Sequence, residues 1–276
     1  MSYKRILTIQ DVSCVGQCSM TVALPILSAC GVETAILPSA VLSTHTAGFT
    51  GFTVRDLADD MPNVNAHWVK EGITFDAVYT GYLGSKKQVD YVLNICKTTL
   101  KENGLFIVDP AMADNGKLYY GFDMEYVNEN KKLIEKADYV LPNITEACFL
   151  TGTEYKEIYD REYIDNLILA LLKLGAKNVI LTGVSFKEDK TGIMVYENGK
   201  YAYYEHEKRP QSCHGTGDIY SSAFVGALLN GKSAYESAKI AGDYVVKCIK
   251  ATEGDAEHWY GAKFESVLSE LIKEVR

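Results

Sequence analysis

Cysteine is used sparingly and without pattern. The seven residues (14, 18, 30, 96, 148, 213 and 248) are odd in number and scattered. They form no C-x-x-C pair and no Cys/His cluster at zinc spacing, which argues against a disulfide scaffold and a structural zinc site. Most sit among apolar or small neighbours and are expected to be reduced core residues, as suits a cytoplasmic protein. No apolar run approaches the ~18 to 20 residues of a membrane span. Met1-Ser2-Tyr3-Lys4-Arg5 leads straight into a short apolar strand pattern, with no signal-peptide apolar region. Positive charge is scarce. The net charge is −8 and no basic run exceeds two or three residues. Nucleic acid and anionic membrane are thereby excluded as bulk partners. The dinucleotide fingerprint G-x-G-x-x-G is missing, and a P-loop protein is not expected. Asn143-Ile144-Thr145 matches a glycosylation sequon and is read as a chance match.

What is present is an ordinary globular composition, 47% hydrophobic and 23% charged. Lys4 to Ile9 has a buried-strand pattern, Gln10 to Ser19 a polar turn, Met20 to Cys30 a helix stopped by Gly31, and Val32 to Pro38 a second strand. This β-α-β opening predicts a parallel sheet. Further strands are predicted at Asp76 to Thr80, Leu105 to Val108, before Pro142, and at Asn178 to Thr182. Helices are expected at Gln88 to Lys101, Ile219 to Asn230, Ala234 to Ala251 and Lys263 to Val275. Gly192 to Glu205 reads as a hairpin turning at Asn198-Gly199. Five or six strands alternate with helices and no linker composition intervenes. The expectation is one α/β domain over residues 1–276, with helices on both faces and polar loops at the carboxyl edge of the sheet, where ligands bind.

The densest chemical signal is Cys213-His214-Gly215-Thr216-Gly217-Asp218, followed by a helix. Glycines let backbone N–H groups turn toward a ligand, and a helix start adds unpaired donors and a positive dipole end. Together they suit an anion, most often a phosphate. Asp218 in the same turn is badly chosen for holding phosphate. It is well chosen for taking a proton from a hydroxyl about to attack phosphorus. The plainer alternative makes Asp218 an N-cap. Asp109, ending a strand, is placed to meet a metal ion or its water shell, with Asp114 as a second carboxylate nearby. Glu146 is either a first-turn acid favoured by the helix dipole or a magnesium-side carboxylate. Ser43 to Phe52, rich in hydroxyls, glycine and aromatics, suits a pocket wall for a flat molecule with polar edges, or a plain surface loop.

In order along nearly the whole chain stand Ile9-Gln10, Pro25, Ser43-x-His45-Thr46, Thr80-Gly81-Tyr82-Leu83-Gly84-Ser85, Asp109-Pro110, Pro142-Asn143-x-x-Glu146 and Gly215-Thr216-Gly217-Asp218. On these motifs the chain resembles the pyridoxal (pyridoxine, pyridoxamine) kinases of the ribokinase superfamily. The Gly-Thr-Gly-Asp and Asn-x-x-Glu segments carry the superfamily. The His-Thr and Gly-Tyr-Leu-Gly-Ser segments carry the vitamin B6 branch. The resemblance implies a ribokinase-like three-layer α/β/α sandwich, with a mostly parallel sheet extended by an antiparallel hairpin. It implies ATP as phosphoryl donor and the 5′-hydroxyl of a B6 vitamer as acceptor. Asp218 would be the general base and the backbone of Gly215, Thr216 and Gly217 an anion hole. Asp109 and Glu146 would position Mg2+ through water, with Asn143 nearby. Asp114 and Thr182 would lie along the ATP phosphates, and Thr46 and Tyr82 would contact the pyridine ring. A monovalent cation is an optional addition, and a homodimer is expected by analogy.

The chain departs from the family's pattern at Asp11, where a serine commonly follows Ile-Gln. A carboxylate there can pair with a protonated ring nitrogen or a substrate amine, and so tune preference among vitamers, toward pyridoxamine for example. His214 could contact substrate or nucleotide or be structural. The nearest rival is a hydroxymethylpyrimidine kinase. A cysteine usually follows the last glycine in those enzymes, and Asp218 stands there instead. A non-catalytic vitamer-binding protein is disfavoured by Asp109, Glu146 and Asp218 together, and a sugar kinase by the first loop.

Overall fold

The computed structural model describes residues 3–211 and 213–276. Met1 and Ser2, part of the predicted N-terminal lead, lie outside them. A nine-stranded sheet runs in the order β11-β10-β9-β8-β5-β4-β1-β2-β3. Its strands are β1 (Arg5–Ser13), β2 (Glu33–Leu42), β3 (Val54–Asp56), β4 (Phe75–Thr80), β5 (Leu100–Val108), β8 (Tyr139–Val140), β9 (Asn178–Val184), β10 (Lys190–Glu197) and β11 (Lys200–Glu207). Strands β2, β1, β4, β5, β8 and β9 pair in parallel, while β3, β10 and β11 are antiparallel additions. A separate two-stranded flap, β6 (Ala113–Asp114) and β7 (Lys117–Leu118), follows β5.

Period-two alternation in strands buried on both faces builds two cores. Val78, Phe106 and Val108 enter the first, packed under α3 (Lys86–Thr99), α4 (Met124–Lys136), α5 (Ile144–Thr151) and α6 (Arg161–Lys173). Ala77, Tyr79 and Ile107 enter the second, under α1 (Met20–Ala29), α7 (Thr216–Leu229) and α8 (Ala234–Thr252). This is the expected three-layer arrangement with a mostly parallel sheet and an added hairpin. Helix α7 is buried nearly all round, and its run from Ala223 to Leu229 is wholly apolar or small. Gly226 lets it reach α1, because a Cβ there would stand 2.5 Å from the Cys30 sulfur.

Several sequence expectations need correction. Gln10 to Ser13 is strand, not turn: a bulge between Gln10 and Val12 lets β1 go on pairing with β2. Helix α3 begins two residues earlier than expected and gives way to β5 at Leu100. The last helix shrinks to α9 (Leu268–Val275), preceded by a 3-10 turn at Glu265–Val267. Helices α2 (Met61–Lys70), α4 and α6 and the β6–β7 flap were not anticipated. All seven cysteines are free, but only Cys30, Cys148 and Cys248 are buried and Cys14 is exposed. Finally, Gly226-Ala-Leu-Leu-Asn-Gly-Lys-Ser233 does spell the P-loop pattern, which the sequence reading overlooks. It spans the end of α7 and the turn into α8, not a strand-to-helix loop, and so builds no phosphate cradle.

Candidate active site at the carboxyl edge of the sheet

The chain order reverses at β1. Strand β2 lies on one side of it and β4, β5, β8 and β9 on the other. The crevice at such a switch point is where open parallel sheets bind ligands. Here Gln10 and Asp11 of β1 face the end of β4. Gly81 is required there, since a Cβ would lie 2.7 Å from the Gln10 side-chain oxygen. The Gln10 amide nitrogen donates to Thr8 Oγ1 at 2.8 Å, whereas its oxygen is buried without a partner.

Gly215 caps α7 with φ 76°. Only glycine fits, because that conformation disfavours a side chain and a Cβ would approach the Gln17 carbonyl oxygen to 1.8 Å. Thr216, Gly217 and Asp218 form the first turn, so Asp218 is the third helical residue and not the N-cap. Space beside Gly217 is open, with no atom within 4 Å of where a Cβ would be. The first-turn N–H groups border this space and suit an anion. Burial pushes the Asp218 carboxyl up to about 7, and the charges of Asp109 and Asp11 act in the same direction. The backbone N–H of Ser19 opposes them. Ser19 itself holds a left-handed φ of 51° at the start of α1. A carboxyl poised near neutrality is matched to general-base work.

Asp109 ends β5 and is 8% exposed. It accepts a 2.6 Å hydrogen bond from Ser221 Oγ, one turn along α7 from Asp218. Glu146, 3% exposed, is the third residue of α5 and closes a capping box with Asn143. One of its oxygens accepts from the Asn143 N–H at 2.9 Å and the other from the Met112 N–H at 3.0 Å. Burial raises both carboxyls above the ordinary range, and the charge of Asp109 raises Glu146 further. Glu146 is thus a first-turn acid, one of its two expected readings, and lies close enough to Asp109 for the two charges to interact.

The other nucleotide-side candidates gather beside this pair. Asn143 and Thr182 bridge in parallel at neighbouring strand ends. Asn143 Nδ2 donates to the Ala113 carbonyl at 2.8 Å, and the Gly116 N–H donates to Thr145 Oγ1 at 3.1 Å. The flap carrying Asp114 is thereby fastened to the start of α5. Asp114 is exposed and accepts from the Asn115 backbone and side chain. Asn143, read also as a sequon, has its side chain committed to the cap.

On the acceptor side, Asp11 is 3% exposed and accepts from Ser13 Oγ at 2.8 Å. Burial raises its carboxyl, partly offset by the Ser19 and Ser13 hydroxyls and by His45. Tyr82 is half-buried, with its ring 5.2 Å from Phe122. Burial first, then the charges of Asp11 and Asp56, push its phenol up to about 12. Thr46 is exposed on the loop after β2 and follows buried His45. His214 is exposed, its ring centroid 5.4 Å from that of His45. Burial and His45 hold its imidazole below the usual range.

Among the described residues no group of three or more His, Cys, Asp or Glu could hold a metal ion by itself. Asp109 and Glu146 do fit an ion that also leans on phosphate. They are two buried carboxyls raised by desolvation with no cationic partner, the environment a divalent cation would relieve. The edge of the sheet therefore brings together a helix start with open space beside Gly217, a buried carboxyl raised to about 7, a second pair of buried carboxyls, and a crevice floored by Asp11. Sequence reasoning missed Ser221, and it named Gln10 and His45 only as motif residues without a role. Ser221 was readable as the residue three beyond Asp218 on one helix face, whereas the partner of His45 lies 215 residues away.

Residues 24–262 match the family described as phosphomethylpyrimidine kinase. The chain belongs to that family. It is 31% identical over 240 residues to a pyridoxal kinase of Dictyostelium discoideum, covering 80% of this chain and 77% of that one. A Bacteroides thetaiotaomicron protein described as a candidate phosphomethylpyrimidine kinase, solved with pyridoxal, superposes with a TM-score of 0.93 at 37% identity, over 98% of this chain and 96% of that one. A pyridoxal kinase from Lactobacillus plantarum superposes with a TM-score of 0.90 at 31% identity, over 99% and 98%. The protein is a kinase of this family, and the ribokinase-like fold expected from the motifs is the fold found. No described helix is long and apolar enough to cross a membrane.

Proposed function

We propose that this kinase, one domain over residues 1–276, transfers the γ-phosphoryl group of ATP to the 5′-hydroxyl of a vitamin B6 vitamer. The single observation that carries the proposal is Asp218, poised near 7 in the first turn of a helix whose N–H groups border open space. Similarity to pyridoxal kinases and to a protein solved with pyridoxal supports the choice of acceptor.

In this reading Asp218 removes the hydroxyl proton as the acceptor oxygen attacks phosphorus, the bond to the ADP oxygen breaks, and the proton remains on the carboxyl until it reaches solvent. The N–H groups of Gly215, Thr216 and Gly217 hold the charge that builds on the transferring phosphoryl group. Asp109 and Glu146 would hold Mg2+, with Glu146 kept in place by the two backbone N–H groups its oxygens accept. Mg2+ supplies charge neutralisation on the phosphates. Asp114, Asn143 and Thr182 line the ATP phosphates. Tyr82 and Thr46 contact the acceptor ring, and Asp11 pairs with a protonated ring nitrogen or an amine. A homodimer in the cytoplasm belongs to the same proposal and rests on the resemblance.

The family description favours a second reading, phosphorylation of hydroxymethylpyrimidine or its phosphate. ADP release by purified protein with ATP and Mg2+ separates them when run against pyridoxal, pyridoxine, pyridoxamine and hydroxymethylpyrimidine. Turnover with the B6 compounds is expected. Turnover with hydroxymethylpyrimidine alone would move the protein to the second reading.

A further inference from the structure

The acceptor side is closed by a segment that no catalytic motif includes. Residues 255–261, between α8 and the 3-10 turn at Glu265–Val267, fold back across the loop after β2. Trp259 lies against Phe49, ring centroids 4.6 Å apart. Gly48 permits the contact, since a Cβ there would stand 2.8 Å from the indole. Next to it the Gln17 amide nitrogen donates to both Glu265 oxygens, at 2.9 and 2.8 Å, and the Gln17 side-chain oxygen pairs with His258 Nε2 at 2.9 Å. The carbonyl of the same Gln17 is the atom packed on Gly215 of the anion hole.

At the centre of this interlock is His45, 4% exposed and 215 residues from its partner. Its Nδ1 accepts the Ala47 N–H at 3.1 Å, so Nε2 carries the proton and donates to the Tyr260 carbonyl at 2.7 Å. Both ring nitrogens are thereby occupied, and neither remains to bond a substrate. The ring edge fills the place where a Cβ on Gly16 would sit, 2.1 Å from His45 Cδ2. Thr46 follows directly in sequence.

We propose that His45 is a positioning residue that buckles the loop carrying Thr46 to the Tyr260 carbonyl, making residues 255–261 a wall of the acceptor pocket. This deepens the reading of the site as a vitamer kinase and rests on it. The two nitrogens of His45 can be tested separately. An asparagine carries its oxygen near the place of Nδ1 and keeps the Ala47 bond, but cannot reach Tyr260. A glutamine places its amide N–H near the place of Nε2 and regains the Tyr260 bond.

The experiment compares wild type, His45→Asn and His45→Gln in steady-state kinetics. It also follows Trp259 fluorescence in a Trp68→Phe background, since the chain has only these two tryptophans. Loss of one buried hydrogen bond predicts that His45→Asn raises the vitamer KM about tenfold. The ATP KM should stay near wild type, kcat should fall less than KM rises, and Trp259 emission should shift to the red as the half-exposed indole detaches. His45→Gln should recover most of the KM and the emission. If His45→Asn does not fold, Trp259→Ala carries the test, with the same selective rise in vitamer KM. A wild-type KM and emission in His45→Asn would overturn the proposal. So would equal losses in Asn and Gln without an emission change, or a normal vitamer KM in folded Trp259→Ala. The emission readout needs no turnover, so failure of the vitamer reading would show separately, as wild-type protein without B6-dependent activity.

Discussion

The two halves of the site are built by opposite means. On the nucleotide side most groups are fixed close to home: Asn143 and Glu146 cap one another within a single turn, and the flap hangs from that cap, with Asp109, held by Ser221 of α7, as the exception. On the acceptor side the groups are fixed from far away. His45 is held by Tyr260, Gln17 by Glu265 and His258, and Gly215 by Gln17. A local capping box survives small shifts elsewhere, whereas a pocket closed by contacts between the two ends of the chain exists only once the whole chain has folded. The Asn-x-x-Glu segment sits in the locally fixed half. The part that must recognise one small molecule sits in the half that depends on tertiary contacts.

Asp218 lies where the two halves meet, and removing it should have the largest effect. Asp218→Asn is expected to lower kcat by about 10^2 to 10^4, the range of general-base catalysis, with both substrate KM values little changed. In wild type, kcat/KM for the acceptor should rise with pH through about 7, as Asp218 ionises, and the variant should lose that limb. Stability follows with a definite sign. A carboxyl raised by burial binds more protons folded than unfolded, so its contribution is present at low pH and is lost as pH rises toward 7. Asp218→Asn should flatten that fall in a series of melting curves taken from pH 5 to 8.

Breaking the nucleotide side comes next. Glu146→Ala removes the reciprocal cap and the anchor of Met112 together. Loss of about 1 to 3 kcal/mol is expected in denaturant unfolding, with activity lowered about 10- to 100-fold and more Mg2+ needed for half-maximal rate. Wild-type Mg2+ dependence in a folded variant would show that Glu146 is a helix cap only. A smaller effect is expected of Ser221→Ala, which leaves Asp109 without its 2.6 Å donor. Half-maximal Mg2+ should rise several-fold, to about tenfold, with the acceptor KM unmoved.

The acceptor side sharpens the comparison with the smallest effect. Asp11→Ser should change the ratio of kcat/KM values between pyridoxamine and pyridoxal by about tenfold while leaving the ATP KM alone. An unchanged ratio in competition assays would remove Asp11 from recognition.

This division also decides what could be read from the sequence. The Asn198-Gly199 hairpin, the first-turn acid Glu146 and the glycine-bracketed start of α7 are local signals, and each was legible, although the reciprocal cap with Asn143 was not read. β10 and β11 do pair through that turn, Ile193 opposite Tyr204. The helix start itself was legible too, although Asp218 sits three residues beyond the N-cap Gly215. The run of β1 through Ser13 was not, because a bulge sustained by pairing with β2 outweighs the polar turn-like residues Gln10 to Ser13. Helix α4 was readable but not read: Tyr126, Val127, Leu133 and Ile134 recur at helical spacing after the Asp123 cap. The Ser221–Asp109 bond spans 112 residues and the His45–Tyr260 bond 215, and no spacing rule reaches that far.

The most direct test of the account places pyridoxal and hydroxymethylpyrimidine in one tube at equal concentration, with ATP, Mg2+ and purified protein, and identifies the phosphorylated products by mass. Pyridoxal 5′-phosphate as the dominant product, absent with Asp218→Asn, is the predicted result. Hydroxymethylpyrimidine phosphate as the dominant product, or pyridoxal 5′-phosphate formed at the wild-type rate by Asp218→Asn, would contradict it.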